Sequence, residues 1–183
     1  GQRDGIAYSQ STDGGLTWST PVQLNQAPAV QAFVPTVHIR DDGTIGVTYY
    51  DLRNNTTAPT ILADYWLVQS ADGVTWTETH VAGPIDYATA PDARGLFLGD
   101  YMGLTSIGTT FVPVYGLTNP GKLDDRTDIF ATLASRVAAA KSMGAGVPAA
   151  VGPPTDALAL TPELERAFTD RDLPLAPLLA VEV

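Results

Sequence analysis

Arg53, Arg94 and Arg126 are the cations whose placement beside acidic and phenolic side chains could do chemistry. Asp51 lies two residues before Arg53, Asp86 adjoins Tyr87, Asp100 adjoins Tyr101, and Asp124-Asp125 runs into Arg126. A guanidinium fork takes a carboxylate in a planar bidentate geometry that a lysine ammonium cannot reproduce. A carboxylate near a phenol can help move the phenol's proton. The same residues also have plainer readings. Asp51 and Arg53 suit a structural ion pair or a loop anchor, and Tyr101, between Gly99 and Gly103, suits a half-buried core tyrosine bonded to a backbone carbonyl.

Other chemistries find little support. His38 and His80 fall on different predicted strands, which argues against a metal pair. Asp124, Asp125 and Asp128 lack the patterned loop of an EF-hand and read as a solvated acidic loop. No metal site and no cofactor are expected. The chain has no cysteine, which excludes disulfides and thiol catalysis. Twenty acidic residues against ten basic ones give a net charge of −10, which argues against nucleic acid, because phosphate binding needs clustered cations. Lys122 and Lys141 are the two lysines, so no basic run is available for an anionic membrane surface. No apolar stretch approaches the roughly 18 residues of a membrane span. Asn54-Asn55-Thr56-Thr57 contains overlapping glycosylation sequons.

The 183 residues, 44% of them hydrophobic, are enough to build the core of one domain. The opening Gly1-Gln2-Arg3-Asp4 has neither an initiator Met nor a signal-peptide pattern, so a missing upstream piece is expected; the lack of a span-length apolar stretch leads to the expectation of a soluble species. Up to about residue 133, short apolar runs alternate between Gly, Asp, Asn and Pro, the signature of an all-β fold. A run from Val34 to Ile39, the turn Asp41-Asp42-Gly43 and a run from Ile45 to Tyr50 predict a hairpin. Ile61 to Gln69, Ser70-Ala71-Asp72-Gly73 and Trp76 to Val81 then complete four antiparallel strands, the content of one propeller blade.

One string recurs. Ser11-Thr12-Asp13-Gly14-Gly15-Leu16-Thr17-Trp18 is matched by Ser70-Ala71-Asp72-Gly73-Val74-Thr75-Trp76, and 58 positions separate Trp18 from Trp76. The second copy is one residue shorter between Asp and Thr, so its turn should be tighter. Physically each copy is a turn staple: Asp accepts from turn amides, Gly permits left-handed backbone, and both indoles are expected to pack beneath the sheet. These strings resemble the Asp-box, SxDxGxTW, of BNR-repeat, sialidase-like β-propellers. The first copy fits every specified position, with Ser11, Asp13, Gly15 and Trp18 answered by Ser70, Asp72, Gly73 and Trp76. The segments from Val47 to Asn54, Phe97 to Leu104 and Arg126 to Thr132 are similar to bacterial exo-α-sialidase-like proteins.

The resemblance implies four-stranded blades across residues 1–133: a hairpin at about 5–23, a full blade at about 33–82, and three strands of another at about 96–134. About two blades cannot close a ring, so the remaining blades are expected from the same polypeptide or from other copies. Residues 134–183 are Ala- and Pro-rich and read as a linker and tail. Within them Thr161-Pro162-Glu163 opens a short helix to Phe168, and the apolar stretch from Leu173 to Val183 is expected to dock on this domain or a neighbour.

Alternation of strand direction sets Asp41-Asp42-Gly43 and both boxes at one end of the sheets. Asp51, Arg53, Asp86, Tyr87, Arg94 and Asp124 to Arg126 then lie at the other, with Asp100 and Tyr101 near the channel. The family likeness implies a secreted or cell-surface protein that recognises a glycan, in which Arg53, Arg94 and Arg126 clamp a carboxylate. Tyr101 would be the nucleophile, with Asp51 or Asp100 as the carboxylate beside it. Glu78 stands on an outer strand, far from where a glutamate that activates tyrosine is expected, so retaining glycoside hydrolysis is expected only in a complete ring. The alternative is a non-catalytic module for carbohydrate binding, adhesion or extracellular assembly. If the second box is a staple, Trp76→Ala should cost about 3–5 kcal/mol, as for a buried aromatic, and an unchanged melting temperature would refute the staple.

Overall fold

A computed structural model describes residues 3–99 and 102–134. Asp100, Tyr101 and the expected helix and apolar tail lie outside the described residues. The described chain is all-β, apart from one 3-10 turn at Tyr87–Thr89. Its strands are β1 (Ala7–Tyr8), β2 (Val22–Gln23), β3 (Ala32–Ile39), β4 (Ile45–Asp51), β5 (Leu62–Ser70), β6 (Thr77–Asp86), β7 (Gly103–Ile107), β8 (Thr110–Thr118) and β9 (Thr127–Ala131). They form three antiparallel meanders, β1-β2, β3-β4-β5-β6 and β7-β8-β9, in which each strand pairs with its sequence neighbour. The predicted bounds shift in two places. The strand expected to stop at Val81 runs on to Asp86, and the third sheet starts at Gly103 rather than near 96, because Asp92 and Leu96 close a separate loop with an isolated bridge.

The β3–β4 turn shows how sequence becomes local structure. Asp42 accepts the amide of Thr44 at 3.0 Å and pairs with Arg40. The Arg40 side chain holds the Asp42 carboxyl far below the usual range, and the Thr44 amide adds to the effect. Within β3, Val34 takes φ +53° beside the register break between Phe33 and Thr36, a costly conformation for a β-branched residue.

Every residue of β4 is buried, because the four-stranded sheet is covered on both faces. On one side Val47, Tyr49 and Val68 pack with Ile6 and Leu24 from the first hairpin. On the other, Tyr50, Tyr65, Ala82 and Ile85 pack with Met102, just ahead of β7, and with Tyr115 from the third sheet. An aromatic ladder runs through this second core. Phe33 stacks on Tyr50 at 5.5 Å, Tyr50 meets Tyr65 at 4.5 Å, and Tyr65 meets Tyr115 at 4.8 Å. At its centre the Tyr50 hydroxyl donates to the Gly116 carbonyl (2.8 Å) and accepts the Gly116 amide (3.1 Å), so sheets two and three are bonded as well as packed. The strands β3 and β7 are tied by Thr36 to the Met102 carbonyl (3.2 Å) and by His38 to Ser106 (3.0 Å).

Both repeated turns hold themselves closed. In the first, Asp13 accepts from the Thr17 amide at 2.9 Å and its hydroxyl at 2.6 Å, while Ser11 accepts from Gly15. In the second, Asp72 accepts from the amides of Val74 and Thr75 at 2.8 and 2.7 Å, while Ser70 accepts from Gly73. The second is tighter by one residue, as its length requires. Gly15 and Gly73 both stand at positive φ, +87° and +71°, where L side chains are strained. The Thr17 bonds to Asp13, and the Thr75 and Val74 amides on Asp72, hold both carboxyls down at about 2.

The indoles differ from expectation. Trp76 is half-buried, edge-on to Tyr8 at 5.1 Å, but Trp18 is 61% exposed. The reason is position: Tyr8 of the first hairpin covers the second turn, and no described element lies over the first. Gly46 leaves room for the Phe111 ring of the third sheet, since a Cβ there would sit 2.5 Å from it. Gly46→Ala should therefore lower stability by about 1–3 kcal/mol as an overpacking change, read as a fall in melting temperature. A variant that melts with the parent would contradict this packing.

Candidate functional site

In a strand, alternate residues share a face, and β4 sends Val47, Tyr49 and Asp51 toward the first hairpin. The register sets Tyr49 opposite Trp66, Asp51 opposite Asp64, Trp66 opposite His80 and Val68 opposite Glu78. One face of the four-stranded sheet thus collects a phenol, an indole, an imidazole and three carboxylates. Arg53, just past β4, folds back over them. Its Nε donates to Asp51 at 2.8 and 3.1 Å, and Nη1 and Nη2 reach Glu78 at 2.5 and 2.9 Å. Its guanidinium carbon lies 3.7 Å from the Trp66 ring centroid, a close cation–π contact. Trp66 Nε1 donates to Asp51 at 3.1 Å, and the Tyr49 hydroxyl donates to Glu78. Beside this circuit Asp64 is hydrogen-bonded to His80 Nε2 and to Asn54 Nδ2, both at 2.8 Å.

Burial and bonding fix the charges. Burial pushes the Tyr49 phenol well above its ordinary value, and the hydrogen bond to Glu78 pushes it further. Burial opposes the Arg53 charge, but the bonds from Glu78 and Asp51 outweigh it and the guanidinium is held more firmly protonated. Two carboxylates, at 0% and 7% side-chain exposure, therefore share one cation at 19%. Such a circuit can orient and hold; a neutral phenol at 0% exposure is not placed to attack a substrate.

This geometry revises the expected roles. Asp51, expected beside a tyrosine nucleophile, is fully buried, with its carboxylate taken up by Arg53 and Trp66; its plainer reading, an ion pair, is the one realised. The carboxylate clamp of Arg53, Arg94 and Arg126 is not assembled, because two protein carboxylates already fill the Arg53 fork. Arg94 is exposed at φ +68°, and Arg126 reaches the Thr89 carbonyl at 3.5 Å. Glu78 does lie on the outer strand, yet it meets a tyrosine there, Tyr49.

That pairing was missed because it depends on register across three strands; the only local hint is that Tyr49 and Arg53 stand four apart. Asp86 and Tyr87 are structural. Asp86 caps the 3-10 turn through the Ala88 amide and accepts the Ile61 amide, and the Tyr87 hydroxyl donates to the Leu96 carbonyl. Asp124 and Asp125 are exposed, and Asp128 accepts from Asn119 Nδ2. Among the described residues no three His, Asp or Glu side chains converge as metal ligands, and no helix is long and apolar enough to cross a membrane.

At the turn end, a cleft of about 720 Å³ is bounded by Arg40, Asp42, Ser70, Asp72, Thr75 and Thr109. Its lining is rich in hydroxyls and carboxylates. Compared with protein-family models, with curated proteins and with solved structures, the chain gives no match in any of the three.

If Arg53 is the common counter-ion, Arg53→Ala strands two buried carboxylates and should cost about 3–5 kcal/mol. Arg94→Ala should stay within about 0.5 kcal/mol of the parent, as for an exposed residue. Equal denaturation midpoints for the two variants would remove Arg53 from the centre of the network.

Proposed function

We propose that this chain is a segment of a sialidase-like Asp-box β-propeller, secreted or at the cell surface, acting as a glycan-recognising module that does no catalysis by itself. The observation that carries the non-catalytic reading is the Arg53 fork, filled by Asp51 and Glu78: an arginine so neutralised has no valence left for a substrate carboxylate. The propeller reading is supported by the repeated Ser-x-Asp turns and by three meanders packed in sequence through two cores. Two places carry aliphatics that further strands would cover: the β3 margin of the four-stranded sheet, on the face the short first hairpin only partly covers, and the outer face of the third sheet. Val37 and Ile39 are 56% and 61% exposed on β3, and Ile107 and Ile129 are each 65% exposed on β7 and β9. Apolar surface of this kind calls for a partner, either further blades of the same polypeptide or other copies.

The cleft at the turn end also has Gln69, Thr109 and Thr110 in its lining, side chains that can hydrogen-bond a polyol. Light scattering on the chain, followed by titration with sialylated and neutral oligosaccharides and an assay on a fluorogenic sialoside, tests the reading. Saturable oligosaccharide binding without turnover is expected. Turnover would restore the catalytic reading, with a ring-sized mass placing the site between copies. No binding to any oligosaccharide would overturn the glycan-recognising role.

A further inference from the structure

The sheet β7-β8-β9 has three strands among the described residues where its neighbour has four. The Asn119 amide bonds the Arg126 carbonyl, and the Thr132 amide bonds the Pro113 carbonyl. Together with the one-to-one register between them, these bonds turn the backbone groups of Asp128 and Phe130 toward β8. Those of Thr127, Ile129 and Ala131 then point away from β8. Beside this free edge lies a groove of about 590 Å³ between β6 and the β8–β9 hairpin, with Val81, Pro84 and Ile85 on one wall and Leu117 and Phe130 on the other. Thr118, also in its lining, is 7% exposed, and its hydroxyl oxygen is buried with no hydrogen-bond partner. A row of amides and carbonyls unpaired among the described residues, next to an apolar trough, is a template for one more strand.

We propose that Leu178–Val183 of the same chain, Leu-Leu-Ala-Val-Glu-Val, takes this place along β9. The argument is one of selection among the residues that follow Ala134. Val137 to Ala140 is alanine-rich and a poor strand former, and Pro148, Pro153 and Pro154 interrupt the next apolar stretch. Leu178–Val183 combines two β-branched residues with five apolar residues out of six and no proline. Leu179, Val181 and Val183 share one face, and Glu182 falls on the opposite face. Six residues suit the five of β9, and the 43 residues from 135 to 177 are ample to bring them to any point on this edge. The inference rests on reading the third sheet as a four-stranded unit like the second.

Amide hydrogen exchange on the full chain tests it, with Val181→Asp as the comparison. The Ile129 and Ala131 amides should exchange about ten-fold or more slowly in the parent than in the variant, while amides of β4 and β5 stay alike in both and report an intact core. Equal exchange of Ile129 and Ala131 in both proteins would overturn the proposal. So would protection that rises with protein concentration alongside a dimer mass, since a second copy would then hold the edge. Neither readout involves oligosaccharide, so loss of the glycan-binding role would leave this result standing, and the reverse also holds.

Discussion

The bond pair between the Tyr50 hydroxyl and the backbone of Gly116 is the constraint on which the arrangement of the second and third sheets depends. A tyrosine buried to 0% exposure needs a partner for its hydroxyl, and the partners found are the amide and the carbonyl of one residue, Gly116, in the neighbouring sheet. That fixes relative position in a way that apolar contact alone does not. Around it, the ring contacts from Phe33 through Tyr65 to Tyr115 fill the interface with flat groups that tolerate little sliding. Gly46 beneath Phe111 and Gly116 beneath the Leu98 carbonyl keep both backbones near enough for this to happen.

Much of this architecture was legible in the sequence. Alternating runs broken by Asp-Gly turns placed β3 to β5 to within a residue or two and located the start of β6, though not its end, because period-two patterning and turn chemistry are local properties. The two Ser-x-Asp turns were legible for the same reason, down to the tighter second copy. Trp18 was not. Whether an indole is covered depends on which sheet lies over the turn, and that is decided by residues far away in sequence. The same limit hid Glu78, whose partners Tyr49 and Arg53 come from another strand and the loop beyond it. Residue type was a fair guide to which side chains would be charged and busy, and a poor one to whom they would meet.

The Arg53 circuit also shows how residues suited to recognition become structural. A guanidinium, two carboxylates, a phenol and an indole would serve well on a loop open to a ligand. Here the first hairpin packs on one side of the same sheet face, the circuit forms beside that core, and the side chains satisfy one another. Its net charge is negative, and Asp64 adjoins it, so the sheet keeps acidic groups within a largely apolar layer. Their retention binds β4, the loop after it and β6 into one unit, since β6 is otherwise joined only to β5 in the sheet.

The strict neighbour-to-neighbour pairing of every strand has a consequence for how such a chain can change over time. Among the described residues no strand passes between two others, so a whole sheet can be duplicated or deleted at a loop without rethreading the remainder. The cost falls on the two exposed faces at the new junction, each of which must accept the surface it meets. Lineages built this way should vary readily in sheet number and slowly in the residues that line those faces.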